Sequence, residues 1–271
     1  MPTARIDGID LYFERHGDSG EPLVLVHGYT GDITDWRHQL PEFSRTHRVL
    51  IIDNRGHGRS QAPADRARYS VERMSHDVEE LVAHAGFERY HLVGHSMGGA
   101  IVQEIALRSP GRLMSLTLHD TGHVFRFDHE LFKAYTAARH QLAETQGMAA
   151  VAKMEGFTPP VPHMPAERLD ETRERLTRMS VDAFIGAWHG LESWPGTEGR
   201  AHAIAAPTMV IYGELEPPPF IDASRWLATN IPGAVLESVP EAAHSPQYER
   251  PEIFNAALRR HLDRSAGGAA K

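Results

Sequence analysis

The stretch Gly94-His95-Ser96-Met97-Gly98 decides how this chain folds. An apolar run, Tyr90 to Val93, leads into it, and a run of small and aliphatic residues suited to a helix, Gly99 to Leu107, leads out. The pattern predicts a buried strand, a sharp turn and a helix. Glycines two positions before and after Ser96 remove the Cβ atoms that would clash in such a turn. We therefore predict a nucleophile elbow, in which strained backbone holds the Ser96 hydroxyl toward a substrate.

A serine nucleophile needs a base, and His244 is the candidate. It lies in the loop Pro240-Glu241-Ala242-Ala243-His244-Ser245-Pro246, after the apolar strand predicted over Ala234 to Val239. An amphipathic helix is predicted to follow over Pro251 to Leu262. A histidine in a loop between these two elements can reach Ser96.

Acyl transfer also needs two donors for the oxyanion that develops on the substrate. The run Leu23-Val24-Leu25-Val26-His27-Gly28-Tyr29 ends a predicted strand at the place where one donor would be supplied. The residue after the nucleophile supplies the other. The backbone N–H groups of Tyr29 and Met97 are therefore the candidates for an oxyanion hole.

The order of these motifs resembles that of the α/β-hydrolase family, and the resemblance covers nearly the whole chain. It rests on His27-Gly28, Asp53-Asn54-Arg55-Gly56-His57-Gly58-Arg59-Ser60, the elbow, Gly213-Glu214-Leu215-Glu216 and His244. The resemblance implies an α/β fold with a mostly parallel central sheet, flanking helices and a helical cap insertion. Within the family, the chain looks most like microbial carboxylesterases and enol-lactonases.

The carboxylate partner of His244 is the least defined member of the implied triad. Family members usually carry aspartate at the fourth position of a Gly-x-x-Asp turn, but here that position is Glu216, one methylene longer. Asp120 is the main rival, because it ends the preceding predicted strand and could reach the same histidine from there. Chain order favours two further carboxylates less: Glu214 and Asp222.

Strand and helix patterns predict one core domain over residues 1–121 and 207–264. Between residues 122 and 206 the strand pattern stops, and the segment becomes helical and rich in Met, His, Phe and Trp. The resemblance implies that this segment is a cap, with His123 and Trp188 as candidate pocket residues. Most of its apolar side chains are expected to pack between helices. Residues 265–271 have nothing to bury, and we expect a disordered tail.

Composition excludes several classes of function. The 271 residues carry a net charge of −8 and include no cysteine, which argues against a nucleic-acid partner and against disulfides or thiolate chemistry. The amino-terminal residues lack an apolar leader, and no run approaches a membrane span, so we expect a cytoplasmic protein without a membrane partner. The 18 histidines are scattered without metal-site spacing. No catalytic metal and no cofactor are expected.

The identity of residue 96 narrows the expected chemistry. Dehalogenases and epoxide hydrolases of the family use aspartate at the elbow, so Ser96 favours acyl transfer. We expect an esterase or lactonase that cleaves small or medium carboxylic esters or lactones through a Ser-His-acid triad and an acyl-enzyme. The alternatives are a C–C bond hydrolase or perhydrolase of the same fold, or a non-catalytic ligand receptor. The sequence leaves the physiological substrate and the oligomeric state open.

Overall fold

A computed structural model describes residues 2–126, 130–154 and 166–267 of the chain. Within these ranges the strands are β1 (Thr3–Ile6), β2 (Ile9–His16), β3 (Glu21–Val26), β4 (His47–Ile52), β5 (Tyr90–His95), β6 (Leu113–His119), β7 (Thr208–Gly213) and β8 (Val235–Val239). The α-helices of the same ranges are α1 (Leu40–Phe43), α2 (Val71–His84), α3 (Met97–Arg108), α4 (Glu130–Gln146), α5 (Met148–Val151), α6 (Ala166–Arg178), α7 (Val181–Glu192), α8 (Pro218–Asn230), α9 (Pro246–Glu249) and α10 (Pro251–Gly267).

The described strands form one sheet in the order β1-β2-β4-β3-β5-β6-β7-β8. The pairs β1–β2 and β2–β4 are antiparallel, and every pair from β4 through β8 is parallel. Helices cover both faces of the sheet, which explains why its central strands are continuous apolar runs. Because the parallel strands share a direction, the loops that follow β3, β5, β6, β7 and β8 meet at one edge. This carboxyl edge carries the candidate site.

The predicted α/β architecture, a mostly parallel sheet with flanking helices, is confirmed, and most elements lie where the sequence placed them. The Ser70 hydroxyl caps α2 by accepting the Arg73 N–H at 3.1 Å. The sequence missed β1, a short edge strand whose alternation of polar and apolar residues covers only four positions. Such a short pattern is too weak to separate a strand from a loop.

Helix α10 runs to Gly267, five residues beyond its predicted end. The expectation of a disordered tail is therefore wrong for Ser265–Gly267, and the rest of that tail lies outside the described residues. The extra turn forms because adding a residue to an existing helix is far easier than starting one. The Ser265 hydroxyl also donates to the His261 carbonyl at 2.9 Å.

The segment between β6 and β7 is helical and joins the core through buried charges as well as apolar contacts. Asp35, in the loop after β3, accepts hydrogen bonds from Arg168 at 2.6 Å and Arg175 at 2.7 Å, both on α6. Burial alone would raise the pKa of Asp35, but the two guanidinium groups hold it far below its usual range. Buried apolar side chains of the segment pack against one another: Ala143, Met148, Val151, Leu176 and Phe184. Two apolar residues of the predicted cap, Phe157 and Met164, lie outside the described residues.

None of the helices in the described ranges is both long enough and apolar enough to cross a lipid bilayer.

Candidate active site

Ser96 occupies the strained turn that the sequence predicted. It lies between β5 and α3 with φ 52° and ψ −115°, a conformation that L-residues rarely adopt. The flanking glycines are required by close approach: a Cβ on Gly94 would lie 2.4 Å from the Gly98 carbonyl oxygen, and one on Gly98 would lie 2.3 Å from the Val26 carbonyl oxygen. The turn is therefore packed too tightly against β3 and α3 to accept larger residues at those positions.

Three of the predicted residues form a hydrogen-bonded chain at the carboxyl edge of the sheet. The Ser96 hydroxyl lies 3.0 Å from His244 Nε2. On the other side of the ring, His244 Nδ1 lies 2.5 Å from Glu216 Oε1. These two hydrogen bonds connect the turn after β5, the loop after β7 and the loop after β8.

The charge of Glu216 controls the protonation of His244. Burial alone would lower the pKa of His244, but the charge of the adjacent carboxylate and its hydrogen bond outweigh that effect and raise the pKa from 6.5 to about 9. The Glu216 side chain is almost fully buried, whereas 35% of the His244 side chain is exposed. A buried carboxylate therefore favours the imidazolium form of a ring that is itself partly exposed.

Asp120 lies behind Glu216 rather than against His244. It ends β6 with φ 42°, is fully buried, and accepts the Gly213 N–H through Oδ1 at 3.0 Å. Burial and the neighbouring Glu216 carboxylate raise the pKa of Asp120 well above its ordinary value. Two buried carboxyl groups close to each other cannot both ionise readily, so the proximity of Glu216 favours the protonated form of Asp120.

The two less favoured carboxylates lie elsewhere. Glu214 accepts a hydrogen bond from the Ser238 hydroxyl at 2.8 Å on the surface. Asp222 is exposed on α8 and pairs with Arg225 at 3.5 Å. The described residues thus place Glu216, and none of its sequence rivals, in hydrogen-bond contact with His244.

The backbone of Tyr29 and Met97 flanks Ser96. Met97 is the first residue of α3, so its N–H is among those that a helix leaves without an internal partner. Gly28 packs directly on the nucleophile turn, because a Cβ there would lie 3.0 Å from the Ser96 Cβ. The Gly28–Tyr29 peptide is thereby held beside the Ser96 side chain.

Aromatic residues lie near the hydrogen-bonded residues of the site. The Tyr29 hydroxyl donates to the Phe184 carbonyl at 2.7 Å, and its ring lies 5.5 Å from the rings of both Phe184 and Trp188 on α7. The predicted pocket residue Trp188 therefore contacts the site through Tyr29. The other, His123, stacks on Trp226 of α8 with ring centroids 3.9 Å apart.

Phe220, at the start of α8, was missed by sequence analysis. Its ring meets the His244 ring edge-on at 5.1 Å. The sequence around this phenylalanine, which follows a proline run, does not predict the contact. The contact depends on how α8 packs against the loop after β8.

Glu249 was also missed, and it fixes the loop that carries His244. Its Oε2 accepts the Ala243 N–H at 2.6 Å and its Oε1 accepts the Ser245 N–H at 3.1 Å. His95 Nε2 donates to the His244 carbonyl at 2.6 Å. The backbone of the histidine is therefore held on both sides. Sequence spacing gives no signal for such contacts, because they depend on where α9 begins.

The sheet order and the strained serine define the class of this protein. A family model described as the alpha/beta hydrolase fold matches residues 21–251, so the chain belongs to the α/β-hydrolase fold family. It is 31% identical over 265 residues to RutD, a candidate carbamate hydrolase of Azorhizobium caulinodans, with 95% of this chain and 97% of that protein covered.

Two solved structures are similar over nearly their full length. The enol-lactonase from Burkholderia xenovorans LB400 matches with a TM-score of 0.86 and 25% identity, covering 97% of this chain and 100% of that one. A thermophilic esterase from Thermogutta terrifontis matches with a TM-score of 0.83 and 28% identity, covering 97% of each chain. The chain is thus a hydrolase of the α/β fold that resembles esterases and lactonases.

Proposed function

We propose that this protein is a cofactor-independent serine hydrolase that cleaves small or medium carboxylic esters or lactones. The observation that carries the proposal is the hydrogen-bonded chain from Ser96 through His244 to Glu216. A serine hydroxyl is a weak nucleophile until a base accepts its proton, and a base works best when a third group fixes its tautomer. Here Ser96 would be the nucleophile, His244 the base and Glu216 the group that fixes the tautomer of the base.

In the proposed reaction, the Ser96 hydroxyl attacks the acyl carbon while His244 Nε2 takes its proton. The imidazolium then gives that proton to the leaving alcohol as the acyl–oxygen bond breaks, which leaves an acyl-enzyme. A water molecule, deprotonated by the same nitrogen, attacks the acyl carbon of the acyl-enzyme. The imidazolium then returns that proton to the Ser96 oxygen as the acyl–serine bond breaks, which releases the acid. Glu216 stays ionised throughout and stabilises the imidazolium that forms in both halves.

The negative charge that develops on the acyl oxygen needs donors already in place. The N–H groups of Met97 and Tyr29 are the proposed pair. Close packing of Gly28 on the Ser96 turn supports this assignment, because it keeps the Tyr29 peptide beside the nucleophile without any movement on substrate binding.

Residues 122–206 are proposed to act as a cap that shapes the substrate pocket. Tyr29, Phe184 and Trp188 connect the nucleophile side of the core to α7, and Phe220 borders His244. Aromatic side chains favour apolar acyl or alkyl groups over charged ones. We therefore propose uncharged esters of short to medium length, or lactones of similar size, as substrates.

The test compares the protein with Ser96→Ala and with Ser109→Ala, a matched control at the other end of α3. The wild type and the control should hydrolyse p-nitrophenyl butyrate and be labelled by a fluorophosphonate probe, and Ser96→Ala should do neither while keeping its circular dichroism spectrum. Ester turnover that survives in Ser96→Ala would refute the assignment. Tight ligand binding without any turnover would indicate a receptor, and fast cleavage of a vinylogous diketone with feeble ester turnover would indicate C–C hydrolysis.

A further inference from the structure

A cluster of metal-ligand side chains lies at the amino edge of the sheet, opposite the edge that carries Ser96. In the described part of the chain, Glu21, His47 and His91 are the one group of three such residues whose ligand atoms all lie within 4.8 Å of one another. They belong to the three adjacent parallel strands β3, β4 and β5.

Strand register explains why these side chains meet. Glu21 pairs directly with His47, and His91 pairs with Leu23, two residues along β3 from Glu21. Side chains two apart on a strand share a face, so all three project from the same face of the sheet. These three residues are far apart in sequence, so no motif of closely spaced ligands predicts the cluster.

Hydroxyl groups orient both imidazole rings. The His91 ring is buried, and its Nδ1 lies 2.8 Å from the Ser115 hydroxyl oxygen on β6. His47 Nδ1 lies 2.9 Å from the Thr46 hydroxyl oxygen, and that hydroxyl donates its own proton to the Phe43 carbonyl. The Thr46 oxygen can therefore accept from His47 Nδ1–H. Outer contacts of this kind fix the tautomer of metal-bound histidines and leave Nε2 as the ligand atom.

We propose that Glu21, His47 and His91 bind a divalent transition-metal ion, with Zn²⁺ the best match. Two imidazole nitrogens and one carboxylate oxygen are a common zinc ligand set, and a harder ion such as Mg²⁺ prefers oxygen ligands alone. Glu21 is partly exposed, with His91 Nε2 3.0 Å from its Oε2, so an ion can enter from solvent and replace this hydrogen bond. Water completes the coordination.

The role of the ion follows from its position. It would bridge the amino ends of three neighbouring strands, so it should stabilise the sheet and take no part in chemistry at the opposite edge. This proposal is independent of the proposed esterase activity, because it concerns different residues and a different readout.

The experiment uses untagged protein freed of metal by EDTA and dialysis. Isothermal titration with ZnSO₄ should show one equivalent bound with a micromolar or tighter Kd, and Tm should rise on zinc addition. Glu21→Gln and His47→Gln should each weaken binding by about tenfold or more. The matched control is His16→Gln, because His16 Nε2 lies 2.9 Å from Glu14 Oε2 but lacks a second imidazole. The control should bind zinc like the wild type.

Cobalt gives a second readout that does not depend on Tm. Co²⁺ added to the metal-free protein should produce visible absorption bands, and one equivalent of Zn²⁺ should remove them. If the wild type takes up no zinc, or if Glu21→Gln and His47→Gln both bind it as tightly as the wild type, the proposal is overturned. The circular dichroism of each metal-free variant establishes that it is folded before titration.

Discussion

Replacing Glu216 should damage catalysis far more than replacing Asp120, although both are buried carboxyl groups at the carboxyl edge of the sheet. In Glu216→Gln the charge next to the ring is lost, and the side-chain amide can donate to Nδ1 and so select the wrong tautomer. In Asp120→Asn the new side chain is neutral, and its oxygen can still accept the Gly213 N–H.

The magnitude follows from the protonation of His244. The rise of its pKa from 6.5 to about 9 corresponds to about 3 kcal/mol in favour of the imidazolium. Because 35% of the ring is exposed, solvent screening reduces this to about 2 kcal/mol, or about 30-fold in rate. Loss of the correct tautomer adds to the electrostatic loss, so kcat of Glu216→Gln should fall by about three to four powers of ten. Asp120→Asn changes one hydrogen bond and should cost about tenfold at most.

The assay measures kcat and KM for p-nitrophenyl butyrate across pH, with circular dichroism and Tm as folding controls. The acid limb of the profile is a second readout. If Asp120 is protonated, Asp120→Asn removes no charge and leaves that limb in place. If Asp120→Asn is the more damaging change, or if it moves the limb to lower pH while Glu216→Gln is nearly silent, the charged partner of His244 comes from β6 and the reasoning fails.

Four further predictions follow from the same structure. Because protonated His244 cannot accept the Ser96 proton, kcat/KM should rise with pH between 6.5 and about 9, and a limb centred below 6.5 would contradict the effect of Glu216. EDTA should leave kcat/KM unchanged, and activity lost on dialysis and restored by a divalent ion would indicate a catalytic metal. Asp35→Asn removes the carboxylate nearest to two buried guanidinium groups and should lower the free energy of unfolding by about 3 kcal/mol in urea titrations, whereas the exposed control Asp18→Asn should change it little. Among p-nitrophenyl esters from acetate to dodecanoate, kcat/KM should peak at intermediate length, since each buried methylene contributes about 0.8 kcal/mol until the pocket is full; a flat series would argue against an apolar pocket.

The sequence predicted the parts of this molecule that depend on local pattern. Apolar runs gave the parallel strands, and paired glycines gave the turn at Ser96. The direction of parallel strands then placed His244 at the same edge. These signals are strong because they come from burial on both faces of a sheet and from close backbone approach.

The sequence could not predict the contacts that depend on the direction in which a side chain points. Glu216 and Asp120 follow neighbouring strands, so chain order alone allows either to reach His244. The contact between the Asp120 carboxyl and the Gly213 N–H turns that side chain away from the ring, and only the packed structure contains it. The Glu249 contacts, the Asp35 ion pairs and the cluster at Glu21 were missed for the same reason, since each joins elements that are distant or unmarked in sequence.

Backbone strain is concentrated where the candidate chemistry lies. Among the described non-glycine residues with positive φ, all but Asp7 follow a strand at the carboxyl edge: Thr30, Ser96, Asp120 and Glu241. Each such conformation costs about 1–3 kcal/mol and persists only where neighbouring contacts fix it. For Ser96 those contacts are its N–H donating to the His119 carbonyl at 2.9 Å and its carbonyl accepting from the Thr121 hydroxyl at 2.8 Å. The end of β6 therefore holds the nucleophile turn, while the Asp120 carboxyl accepts the Gly213 N–H at the start of the loop that carries Glu216. A single segment, residues 119–121, thus orders both ends of the hydrogen-bonded chain before any substrate arrives.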